Sequence, residues 1–87
     1  MDEILLKKIE QKVQDTISNK DDVKHLIQSL SSVDDSQSFV LGIVVGRIYN
    51  AFYYHTKRMF DREPTADEFQ EFLEFVKKRK SDFKNLR

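Results

Sequence analysis

Eighty-seven residues fit a single domain with room for one core, and fifteen basic against fifteen acidic residues leave no net field to draw the chain to nucleic acid or anionic lipid. Any such partner must therefore be met by a local patch. The absence of cysteine excludes disulfides and thiolate metal sites, and two Gly with one Pro are too few for a turn-rich β protein, so the composition predicts a few long helices held by apolar side chains, seven Phe and three Tyr among them.

Met1-Asp2-Glu3 lacks the basic-then-apolar layout of a secretory signal, and the expected compartment is the cytoplasm. Leu5, Leu6, Ile9, Val13 and Ile17 recur at helical spacing, with Lys7, Lys8, Lys12 and Asp15 off their arc, which predicts an amphipathic helix over 3–18. The polar string from Ser18 to Asp22 breaks the pattern. Asn19 or Asp21 is suited to cap a second helix over 22–31 carrying Val23, Leu26, Ile27 and Leu30; a continuous, kinked helix is the alternative.

Residues 31–36, Ser-Ser-Val-Asp-Asp-Ser, read as a loop whose Asp and Ser side chains are suited to cap the helix starting near Gln37. The apolar run from Phe39 to Val45 fits either a buried strand or a helix, and is far shorter than the ~20 residues that span a bilayer, so no membrane is expected as a partner. Ile48, Phe52 and Met59 continue one helical face through Leu41 and Val45, which predicts a single helix over 36–60. Pro64-Thr65 opens a last helix over 66–82, with Thr65 and Glu68 in capping-box spacing, an apolar stripe of Phe69, Phe72, Leu73 and Val76, and basic residues at its C-terminal end. That helix is read as capable of running on to Phe83 and Leu86.

The predicted fold is all-α: one small antiparallel bundle over 1–87 with four helices, three if the first two are continuous. Its expected core is Leu6, Ile9, Val13, Leu26, Leu30, Leu41, Val45, Ile48, Phe52, Phe69, Phe72 and Val76.

The long helix carries the unusual residues. Arg47, Tyr49, Tyr53 and Tyr54 are of the types enriched at interface hot spots and are the candidate partner-binding residues. Arg47, Asn50, Tyr54, Lys57 and Arg58 share a stripe that is suited to phosphates and to stacking a base, and Lys77, Lys78, Arg79 and Lys80 open a basic C-terminal stretch of the same potential use. The bland account of both is a solvated edge of a buried helix and a complement to a helix dipole. Gly42 and Gly46 make a flat strip for close packing against the first or last helix of the same chain, with a second copy as the alternative neighbour.

His55 falls on an apolar arc and is expected partly buried and hydrogen-bonded, while Asp22-x-x-His25 is the only spacing near a metal-ligand pair, so no metal and no cofactor are predicted. Glu68, Glu71 and Glu74 lie on a polar face, where Glu74 is placed to pair with Lys78. No phosphate loop or nucleophile elbow is present, and neither catalysis nor a small-molecule substrate is expected. The segment Arg62-Glu-Pro-Thr-Ala-Asp-Glu68 resembles the lead-in to a helix-turn-helix of bacterial sigma factors; the resemblance covers seven residues, and no turn with a recognition helix comes after it. The leading functional expectation is a non-enzymatic protein-interaction module that docks a protein partner or a second copy of itself. The alternative is a nucleic-acid-binding accessory protein.

Overall fold

Five helices form from local signals, in a computed structural model that describes residues 1–30 and 34–84. Helix α1, Glu3–Ser18, starts where the Asp2 carboxylate accepts hydrogen bonds from the Ile4 and Leu5 amides at 2.9 and 3.0 Å. It buries Leu5, Ile9, Val13 and Thr16, one face at spacings of four, four and three. Asn19 ends it. The Asn19 side-chain amide donates to the Asp15 carbonyl at 2.7 Å, and its own carbonyl accepts from the Asp22 and Val23 amides, so one residue closes α1 and opens α2, Lys20–Leu30. The first two helices are thus separate, and the second begins two residues before the predicted start. Its predicted end at residue 31 lies outside the described residues.

Helix α3, Ser36–Phe60, has the predicted bounds. The Asp35 carboxylate accepts from the Ser38 amide at 3.1 Å and the Ser38 hydroxyl at 2.8 Å, and the amide bond, as the larger cause, holds the Asp35 carboxyl below its ordinary range. The helix stops at Asp61, which takes a left-handed conformation at φ 55° and returns its amide to the Lys57 carbonyl. At 25 residues, about 37 Å at 1.5 Å each, α3 runs nearly the full 40 Å of the long axis.

Helix α4, Ala66–Lys78, opens on the predicted capping box: the Glu68 amide donates to the Thr65 hydroxyl at 3.2 Å and the Thr65 amide donates to the Glu68 carboxylate at 2.8 Å. Arg62 adds a fork of two bonds to the same carboxylate, at 2.6 and 3.2 Å. Led by the Arg62 bonds and then by the Thr65 amide, these contacts lower the Glu68 pKa from 4.5 to about 2. A depressed carboxyl pKa stabilises the fold above the unfolded value and ceases to do so as pH falls through the folded one. With Arg62 partly exposed the contribution is about 1 kcal/mol. Denaturant titrations between pH 6 and about 2 should show that loss in the wild type, and a flatter profile in Glu68→Gln.

The last helix does not continue unbroken to residue 82. It ends at Lys78, Arg79 forms a turn, and α5, Lys80–Lys84, comes next as a separate short element, so the described residues form five helices rather than four; Leu86 lies outside them. No recognition helix succeeds α4 among the described residues.

Helices α1 and α4 run side by side in the same direction: the Met1 amino group pairs with Glu71 and Arg79 pairs with Glu10. Of the helices, α1 packs most extensively against α3. Helix α4 meets α3 through large rings. Phe52 stacks on Phe72 at 4.4 Å, and Tyr49 stands edge-on to Phe72 at 5.9 Å and to Phe69 at 6.2 Å.

The buried core consists of Leu5, Ile9, Val13, Val23, Val40, Val44, Ile48, Ala51, Phe52, Phe72 and Phe83. Several expected members are displaced. Leu5 takes the place expected for Leu6, and Val40 and Val44 take those expected for Leu41 and Val45, which are only partly buried, as are Phe69 and Val76. Leu26 is 50% exposed and Leu30 is also exposed, although both lie on the Val23 side of α2: only Val23, in the first turn, is buried, and Ile27 is half-buried. Two buried polar side chains are satisfied locally, with the Thr16 hydroxyl donating to the Lys12 carbonyl and the Thr56 hydroxyl to the Phe52 carbonyl.

Candidate functional site

Helix α3 positions the candidate side chains from Gly42 to Arg58, because its core face, Val40, Val44, Ile48, Ala51 and Phe52, fixes the rotation of the rest. Two other faces reach the surface. One runs through Phe39, Gly42, Gly46, Tyr49 and Tyr53 toward α4; the other runs through Arg47, Tyr54 and Arg58 toward α1, and Asn50 and Lys57 lie between them, exposed.

The four expected partner-binding residues are divided between these faces. Tyr49, 41% exposed, stacks on Tyr53 at 6.1 Å with ring planes 13° apart, on the α4 side. Partial burial, and secondarily the Glu63 carboxylate, raise the pKa of the Tyr53 hydroxyl. Tyr54 lies on the opposite side, its ring edge-on to His55 at 5.1 Å and its hydroxyl accepting from Arg58 at 3.2 Å; Arg47 is half-buried.

The expectation that Gly42 and Gly46 pack closely against a helix of the same chain fails. Both are exposed, and a Cβ placed on either would meet nothing within 4 Å among the described residues. Around them lies an uncharged surface: from Ser36 to Gly46 the helix has no ionisable side chain, and Phe39 on the same face is 39% exposed.

On the α1 side, His55 is half-buried as expected, but its ring makes no hydrogen bond among the described residues. Its pKa is lowered, first by burial and then by the charges of Lys8, Arg58 and Lys12. The charges of three cations from two helices therefore act on this ring. Tyr54, Lys57 and Arg58 line an open hollow of about 230 Å³ beside it. Nothing in the sequence singles out Lys8 and Lys12. Their spacing of four marks them as neighbours on one side of α1, but nothing local to that helix says which surface of α3 they will meet.

The basic C-terminal stretch is tied into the fold at Arg79. Arg79 pairs with Glu10 and with Asp82, and lies 5.6 Å from the Phe75 ring centre; these bonds, Glu10 first, raise its pKa further. Lys77 pairs with Glu74 at 3.4 Å, in place of the expected Glu74–Lys78 pair. Lys78 and Lys80 are exposed, and the stretch beyond residue 84 lies outside the described residues.

Among the described residues no group of three or more His, Cys, Asp or Glu side chains is placed to hold a metal ion, and no helix is long and apolar enough to cross a membrane. No protein-family model, no curated protein and no solved structure matches the chain.

Proposed function

We propose that the protein is a non-enzymatic interaction module that docks a second copy of itself through the uncovered face of α3. The observation that carries this reading is the bare, charge-free first half of that helix, with Phe39, Gly42 and Gly46 on its open side and the Tyr49–Tyr53 stack continuing it. Exposed aromatic rings around a flat strip suit a helix docked at short range. Each glycine in a helix interior also costs about 1 kcal/mol relative to Ala, and no contact among the described residues offsets it.

A second copy is favoured by electrostatics. Two-fold pairing sets a patch against itself, so any charge on it would face its like; the run from Ser36 to Gly46 has none. The cations of α3 begin only at Arg47.

Light scattering and sedimentation equilibrium should therefore give a dimer, twice the 10.4 kDa chain mass, over a concentration series. Gly46→Leu should return a monomer that melts no lower than the wild-type chain, since the new side chain meets open space and Leu is the better helix former. A wild-type chain that stays monomeric throughout the series would overturn self-docking, whatever other protein that face receives.

A further inference from the structure

We propose that a second surface, built by Lys8 and Lys12 of α1 with Tyr54, Lys57 and Arg58 of α3, binds single-stranded nucleic acid, the cations holding phosphates and the Tyr54 ring stacking a base. Tyr54 and Arg58 lie on a different side of α3 from the Gly42–Gly46 strip, with Lys57 between the two, and the proposal does not rest on self-docking.

Charge placement supplies the first argument. Although the chain is neutral as a whole, the ion pairs among its described residues involve the Met1 amino group, Arg62, Lys77 and Arg79, with Glu71, Glu68, Glu74, Glu10 and Asp82. None of these pairs includes Lys8, Lys12, Lys57 or Arg58. Among the described residues these four cations, on α1 and near the end of α3, are held by no carboxylate and stay available to phosphates. The charges that act on His55, the neighbour of Tyr54, are those of Lys8, Arg58 and Lys12.

The second argument is the ring. Tyr54 is 53% exposed, a large aromatic surface offered to solvent beside an open hollow that it shares with Lys57 and Arg58. The bond from Arg58 to its hydroxyl and the edge contact with His55 hold it in place. An acidic peptide would engage the cations and have no use for the ring. A base uses both, because its flat face stacks while the adjoining phosphates meet the lysines and the arginine. The base must be unstacked to reach the ring, which selects single strands over duplex.

The test is fluorescence anisotropy with labelled homopolymers of thymidine or uridine about 20 nucleotides long, against a duplex of equal length. Three to four phosphate contacts should make single-strand binding roughly 20- to 50-fold weaker at about 200 mM salt than at about 50 mM. Tyr54→Ala should weaken it roughly 5- to 100-fold while Tyr54→Phe retains it, and Lys8→Glu with Arg58→Glu should lose about 100-fold or more. Lys77→Glu with Lys78→Glu should leave it unchanged. The substituted side chains are all exposed, and circular dichroism of each variant checks that the helices are intact. The proposal is overturned by absence of single-strand binding at low salt, by binding that tracks the Lys77 and Lys78 charges instead, or by anionic phosphatidylserine vesicles binding where oligonucleotides do not.

Discussion

Phe52→Ala should lose roughly 3–5 kcal/mol of unfolding free energy, the largest effect expected of any single substitution in this chain. Phe52 is fully buried and its ring stacks on Phe72 across the joint between α3 and α4. Because the rings themselves bridge these two helices, truncating one opens a cavity that the backbone would have to close by moving α4 bodily. The Tyr49 ring, already edge-on to Phe72, cannot fill it without giving up its stack on Tyr53. A small domain's total stability is about 5–15 kcal/mol, so the variant should melt far below the wild type or be unfolded at about 37 °C. Denaturant titration measures the loss directly, and retention of the wild-type midpoint would remove Phe52 from the core.

Phe83→Ala is expected to come next, at roughly 3 kcal/mol or more, even though the residue belongs to a five-residue helix near the C-terminus. Phe83 is 2% exposed and joins the same core cluster as Phe72 and Ile48, so α5 behaves as a plug for the bundle. Its docking is reinforced by the turn residue before it, since Arg79 pairs with both Glu10 and Asp82. The contrasting substitution is Leu26→Ala. At half exposure Leu26 should lose less than about 1 kcal/mol, although the residue is larger than many in the core. Equal losses for Phe83→Ala and Leu26→Ala would contradict this packing.

That contrast also marks what could be read from the chain alone. The bounds of α1, α3 and the start of α4 are legible because each rests on local chemistry, a periodic stripe or a capping side chain, and the Thr65–Glu68 box forms as its spacing predicts. Which face turns inward is less legible wherever apolar residues surround the helix. From Phe39 to Val45 periodicity gives no preference between Leu41 with Val45 and Val40 with Val44, and the position of α1 decides for the valines. In α2 the leucines do form a stripe, but a stripe states only that a helix has an apolar side, and Leu26 stays half exposed among the described residues.

The candidate surfaces divide in the same way. The residues of α3 are identifiable from their unusual mixture, whereas their grouping is not, since Tyr49 and Tyr54 are on different sides of the helix. The action of the Lys8 and Lys12 charges on His55 joins residues far apart in sequence and depends on how two helices cross. The same holds for Arg79, which reads as part of a free basic tail but is held by Glu10.

The one-residue junction at Asn19 bears on how the molecule opens. Helix α2 has a single buried apolar side chain, Val23, and rests on α3 beyond a break in the backbone helix, while α3 touches α1, α2 and α5 along the length of the molecule. Amide protons of α2 should consequently exchange with solvent through a local opening that leaves the remaining helices folded, whereas those in the middle of α3 should exchange only with the whole domain. Such an opening detaches α2 at Asn19 and bares the side of α3 that it covers, so the apolar surface available to an incoming helix is set by an equilibrium within the chain as well as by its static outline.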